Sequence, residues 1–160
     1  MGWVPRYLRV PDATASCMSF SFQSVGLGVG SAIGLALSRP DSVSVLGTGD
    51  GGFYMSLSDL ETAVRLGLRM CIIVYNDAAY GAEVHYFRRL GFDVDLAKFP
   101  PSDIAAVARG LGARAATVRG DVDLAALKRW VVEGSPGVFV LDAKICPTVE
   151  ADWHSDAYAA

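Results

Sequence analysis

Histidine and cysteine are scarce in this chain. Its histidines, His85 and His154, and its cysteines, Cys17, Cys71 and Cys146, are scattered. There is no CxxC pair and no Cys/His spacing of the kind that builds a zinc site. Three cysteines make no disulfide framework, and the expectation is a reducing cytoplasm. Basic residues are no more numerous than acidic ones, 14 against 17, for a net charge of −3. That leaves no electrostatic footprint for nucleic acid. No apolar run approaches the roughly twenty residues a membrane helix needs. The longest, Val25 to Leu37, is short and glycine-rich, and reads as a close-packed buried helix. Met1 to Asp12 holds two arginines and no apolar segment, so no signal peptide is expected. Internal repeats and low-complexity tracts are also lacking.

What the chain has in quantity is apolar side chains. They make up 52% of 160 residues, with a mean hydropathy of +0.33. Either the core is unusually complete, or some apolar surface belongs against something else.

The elements follow from the pattern. Residues 1–15 have no clean period, and Pro5 and Pro11 interrupt them, so an extended lead-in is expected. It is an odd opening for a domain, and suggests a chain cut from something longer. Ser16–Phe22 is a candidate short strand. Gln23–Gly34 repeats small residues as a helix does when it approaches another backbone or a ligand. Arg39-Pro40-Asp41 ends that helix, and Ser42–Leu46 is a short buried strand. Ser56–Leu66 reads as a helix, with Ser56 capping and Asp59 completing a capping box. Its apolar face is Leu57, Leu60, Ala63 and Val64, Glu61 and Arg65 form an exposed pair, and Gly67 stops it. Cys71–Tyr75 is a continuous apolar run, as a central parallel strand should be. Ala82–Leu90 is a helix and 91–101 a loop. Ser102 caps a helix to Leu111, Ala115–Val118 is a strand, Asp121–Glu133 a helix and Val138–Leu141 a last strand. After Pro147 the pattern fades, and 148–160 is expected to be a mobile tail. The alternation predicts an α/β domain over 16–147, doubly wound, with a mostly parallel sheet and helices on both faces.

The stretch from Leu46 to Tyr86 carries the chemistry. It holds two acidic turns, Gly49-Asp50-Gly51-Gly52 and Asn76-Asp77-Ala78-Ala79-Tyr80-Gly81, each after an apolar run. A right-handed strand–helix–strand crossover places both turns at the same end of the sheet. Asp50 and Asp77 then face one small volume. Two carboxylates beside glycine-exposed N–H groups suit a hard cation carrying a phosphate, and Gly51 and Gly52 can offer N–H groups to a diphosphate. The blander alternative is two solvated turns.

The GDG triplet, followed 27 residues after its Asp by Asp77 of the Asn76-Asp77 pair, resembles thiamine diphosphate enzymes of the acetolactate synthase and 2-oxoacid decarboxylase superfamily. Phe53, Met55, Asp59-Leu60, Thr62-Ala63 and Tyr80-Gly81 fit the same pattern. The resemblance implies the C-terminal, diphosphate-binding domain of such an enzyme, with the thiamine diphosphate-binding fold. It implies Mg²⁺ held by Asp50, Asp77 and the Ala79 carbonyl. It places the cofactor against Gln23, Val25, Gly26, Gly49, Gly51, Gly52, Tyr80 and Gly81. Val25 would wedge the cofactor into its bent shape, and the Gln23 carbonyl would accept from its amino group. Where Gly52 stands the family often has Ser or Ala, so a hydroxyl contact to phosphate is missing. Glu83 resembles the acid–base Glu of pyruvate decarboxylase-like members. The implied partners are a 2-oxoacid substrate and a pyrimidine-binding domain, of the same or a second chain, which carries the catalytic Glu. A homo-oligomer is expected, and an isolated chain would be inactive.

Alternatives stand beside each of these. Gln23–Gly34 could be a plain core helix and Glu83 an exposed helix carboxylate. His85 reads as a surface or packing histidine. The chain could be a truncated, non-catalytic module that binds the cofactor or a partner. A phosphoryl-transfer domain also has acidic turns and Mg²⁺, with Lys144 after the last strand as its cation.

Overall fold

The computed structural model describes residues 3–18 and 24–150. Four strands form one sheet: β1 (Ser44–Gly49), β2 (Met70–Asn76), β3 (Arg114–Val118) and β4 (Val138–Lys144), in spatial order β1-β2-β4-β3. Every pairing is parallel. The path steps from β1 to β2, passes over β4 to β3, and returns through α7 (Ala125–Val132) to insert β4. Right-handed crossovers that reverse direction must place their helices on opposite faces.

The side-chain alternation of the strands agrees. Met70, Ile72, Val74, Val138 and Val140 point to one face. There they pack with Val29, Ala32 and Ala36 of α2 (Gly28–Ser38), Phe53 of α3 (Asp50–Met55), Leu60 and Ala63 of α4 (Leu57–Arg65), and Ile104 and Ala108 of α6 (Ile104–Gly110). Cys71, Phe139 and Leu141 point to the other face and meet Trp130 of α7. The expected doubly wound fold with helices on both faces is what the chain adopts.

Several local expectations are corrected. The lead-in is not wholly extended: α1 (Trp3–Tyr7) and a 3₁₀ turn at Ala13–Ala15 lie within it. Pro5 is tolerated because the N–H groups of a first helical turn have no intrahelical acceptor. The Val4 methyl fills the space beside Gly47, and Arg39 Nη2 donates to Asp12 Oδ1 at 3.1 Å, so the lead-in is tied to the sheet and to α2. The proposed strand at 16–22 has no regular structure over Ser16–Met18, and its remainder lies outside the described residues, as does Gln23. The capping box at Ser56 does not form. Ser56 Oγ donates instead to the carbonyls of Gly52 and Phe53, because α3 occupies the turn before it. The cap of α6 is Asp103, whose carboxylate accepts from Ala106 N at 2.8 Å, not Ser102. The helix expected over 121–133 is a 3₁₀ turn (Asp121–Leu124) running into α7. Strands β1 and β4 run beyond the expected Leu46 and Leu141. The start of the expected tail is docked: Glu150 pairs with Arg89 of α5 (Gly81–Arg89). Among the described residues no helix is long and apolar enough to cross a membrane.

Candidate functional site

Strands β1 and β2 end level with one another, Gly49 lying opposite Tyr75. Asp50 is the next residue on one strand and Asp77 the second on the other, so both carboxylates leave the sheet at the same end. Ligands of open α/β sheets gather at this carboxyl end.

Asp50 opens α3 and is 1% exposed. Its Oδ1 accepts from Gly51 N and its Oδ2 from Ala78 N, both at 2.8 Å, so one carboxylate bridges the two acidic turns. Burial pushes its carboxyl above the usual range, backbone donors pull it down, and the charge of Asp77 pushes it up again. Asp77 is raised chiefly by its own burial, against backbone donors and the nearby His85. Two such neighbours form an incomplete electrostatic arrangement that a cation would complete.

The second turn is also pinned from outside. Phe99 N donates to Ala78 O at 2.9 Å and Tyr80 N donates to Ala97 O at 2.8 Å, so the 91–101 loop clasps the turn as a short antiparallel bridge. Among the described residues no backbone N–H bonds the Ala79 carbonyl between them. No set of three or more His, Cys, Asp or Glu side chains there could hold a metal, so a site here needs a backbone ligand. Two carboxylates and a carbonyl are hard oxygen donors, which fits Mg²⁺.

Glycines make this packing possible by close approach. A Cβ at Gly51 would run into the Tyr80 ring, and one at Gly81 into the Asp77 carboxylate. Gly51 N–H is engaged by Asp50, whereas Gly52 holds the third position of α3, where helix geometry provides no acceptor. Val25 is 55% exposed and lies 3.5 Å from where a Gly52 Cβ would be, and Gly26 (φ +98°) packs against Met55. Val25 and Gly26 therefore lie against α3 at Gly52 and Met55, and Tyr80 meets Gly51 where the two turns face each other. A depression of about 340 Å³ adjoins them, lined by Asp77, Ala79, Gly81, Arg88, Lys98 and Phe99.

Glu83 is exposed on the first turn of α5 and faces a separate groove with Tyr80, Phe87, Phe92 and Leu96. That groove is not bordered by Asp77. His85 is more than a packing residue: its Nδ1 lies 4.0 Å from Glu150 Oε2, and it lowers the Asp77 carboxyl. Lys144 Nζ is held by the Ser102 carbonyl at 2.8 Å and by Asp142 Oδ2 at 3.0 Å, an arrangement that occupies the cation of the phosphoryl-transfer alternative.

Sequence reasoning missed Asp142. It is fully buried near the end of β4 and accepts from Asn76 Nδ2 at 2.8 Å. The available signal was an acidic residue closing the apolar run Val138–Leu141. It also missed the aromatic ladder Tyr54–Phe99–Tyr80, with ring centroids 6.2 and 5.5 Å apart, which braces the clasp.

Residues 1–143 match a family described as thiamine pyrophosphate enzyme, C-terminal TPP binding domain. The chain is 40% identical to acetolactate synthase of Bacillus subtilis strain 168 over 78 residues, 49% of this chain and 14% of that protein. It is 33% identical to pyruvate decarboxylase 2 of Nicotiana tabacum over 86 residues, 51% of this chain and 14% of that protein. Among solved structures it is similar in fold to benzoylformate decarboxylase from Polynucleobacter necessarius, with a TM-score of 0.69 at 21% identity. That likeness covers 79% of this chain and 24% of the other. The chain thus spans about a quarter or less of the length of each of these proteins.

Proposed function

The chain belongs to the thiamine pyrophosphate enzymes as their C-terminal TPP binding domain, and we propose that Asp50, Asp77 and the Ala79 carbonyl hold the Mg²⁺ that anchors the cofactor's diphosphate. The observation that carries this reading is the level ending of β1 and β2, with the Asp50 carboxylate bonded across to the second turn. When bound, thiamine diphosphate supplies the electron sink for cleaving or forming a bond at the carbonyl carbon of a 2-oxoacid.

The chain's own residues do the rest. Asp50 and Asp77 offset the metal's charge, and each is oriented by backbone donors rather than by flexible side chains. Gly52 offers its first-turn N–H to a phosphate oxygen. Val25 and Gly26, set against α3, and Tyr80, lying over Gly51, would offer the cofactor apolar contacts. Glu83 holds or moves a proton for the reacting substrate once the groove beside Tyr80 is completed by another domain. That domain is a pyrimidine-binding one, of the same or a second chain, and it supplies the Glu that contacts the pyrimidine ring. The complete protein is a decarboxylase or carboligase acting on 2-oxoacids. The relatives named as acetolactate synthase and pyruvate decarboxylase support both chemistries. The experiment is magnesium-dependent binding of thiamine diphosphate to the chain and to variants at Asp50 and Asp77.

A further inference from the structure

Asp142 sits in β4 opposite Val74 on β2 and Thr117 on β3, with none of its surface exposed. A carboxylate among strand side chains costs stability unless it is paired and hydrogen-bonded. This one is only half satisfied. Oδ1 accepts from Asn76 Nδ2 at 2.8 Å. Oδ2 receives no hydrogen bond from the described residues, and Lys144 Nζ lies 3.0 Å away outside hydrogen-bonding geometry, as an ionic contact. An apolar residue would serve the core better, so the carboxylate needs another reason.

That reason lies in what Asn76 does with its other end. A carboxylate only accepts, so Asn76 must present its NH₂ to Asp142 and its carbonyl oxygen to the opposite side. There, Oδ1 accepts from Ala78 N at 3.2 Å. Ala78 has φ +57°, the left-handed region that an alanine adopts only under constraint. Its N–H is shared between Asn76 Oδ1 and Asp50 Oδ2, and its carbonyl is taken by Phe99 N. The strained residue is therefore pinned on both sides. It stands between Asp77 and Ala79, the two ligands of the second turn.

We propose that Asp142 is a positioning residue for the metal-binding turn. By fixing the Asn76 amide one way round, it holds the Ala78 N–H, and with it the directions of the Asp77 carboxylate and the Ala79 carbonyl. Lys144 secures the buried charge and carries the clamp on to the Ser102 carbonyl. Ser102 Oγ in turn meets the Tyr54 hydroxyl of α3, so the same network reaches the element that begins with Asp50. This inference rests on the metal reading above for its purpose, not for its geometry.

The test uses ¹⁵N-labelled 160-residue chain. In the unaltered protein the Asn76 side-chain NH₂ protons exchange with solvent far more slowly than those of an exposed amide; exchange at the exposed rate overturns the proposal whether or not any variant folds. Asp142→Ala then speeds exchange of the Ala78 amide at least about tenfold relative to the Ile72 amide of the core. It also weakens Mn²⁺ binding with thiamine diphosphate, read by electron paramagnetic resonance, by about ten- to a hundredfold. Asp142→Asn can still accept from Asn76 but no longer forces its orientation, so its effect on Ala78 exchange relative to Ile72 falls between the unaltered chain and Asp142→Ala, an order that general loss of stability would not produce. Unchanged Ala78 exchange and unchanged Mn²⁺ affinity in folded Asp142→Ala would overturn the proposal. If the unaltered chain binds no Mn²⁺ with thiamine diphosphate, the metal reading falls, and Ala78 exchange still decides the positioning claim.

Discussion

The Tyr80 ring lies against Gly51, across the space that a side chain at position 51 would occupy. The two residues belong to the two acidic turns, so the contact locks one turn to the other. Phe99 backs the ring edge-on with centroids 5.5 Å apart, which limits how far it can swing away. Gly51→Ala gains about 1 kcal/mol of helix propensity in α3 but loses about 1–3 kcal/mol to overpacking, so the net change is destabilising. In the double variant Gly51→Ala, Tyr80→Ala the clash is gone. Denaturation of all four chains should show a coupling of about 1 kcal/mol or more; additive losses would mean the ring is free to move.

Cys71 sets a stability limit at alkaline pH. Burial pushes its thiol from 9.0 to about 11. The folded state therefore disfavours the thiolate. The stability this thiol contributes is complete below pH 9 and is lost as pH rises toward 11, by about 2–3 kcal/mol. Urea midpoints from pH 8 to 11 should fall more steeply for the unaltered chain than for Cys71→Ala. Parallel curves would show that Cys71 has no part in the loss. The exposed Cys17 and Cys146 should react with a thiol reagent in the folded chain, and Cys71 only after unfolding.

Glu83→Gln keeps the shape of the side chain and removes its carboxylate. In the complete enzyme, turnover should fall about 10²-fold or more while thiamine diphosphate affinity stays unchanged. Turnover within about twofold would make Glu83 only a surface charge of the groove it shares with Tyr80 and Phe92.

How much of this was legible beforehand depends on the range of the interactions involved. Apolar runs and glycine stops showed the strands and helices, because burial of parallel strands leaves continuous hydrophobic sequence. The meeting of Asp50 and Asp77 was legible through the strand–helix–strand order, since a crossover makes the two strands parallel and leaves both turns at one end. The caps were misread for a local reason. Helix α3 starts at Asp50 itself, so Ser56 becomes a junction between two helices rather than the start of one. Asp142 was out of reach for a non-local reason. Its partner Asn76 is 66 residues away, and only strand order β2-β4 brings them together. The clasp of 97–99 on 78–80 is a pairing between two loops, for which no periodicity exists to be read.

The most direct test of the metal assignment is calorimetric titration of the chain with thiamine diphosphate, with and without Mg²⁺. Asp77→Ala removes one oxygen ligand and one negative charge; Asp50→Asn removes a charge and places an NH₂ where Asp50 accepts from backbone N–H groups. Binding in the unaltered chain is expected to depend on magnesium and to fall at least about tenfold in each variant, while magnesium-independent binding is little changed. Equal affinity with and without Mg²⁺, or variants that bind as tightly as the unaltered chain, would contradict the assignment.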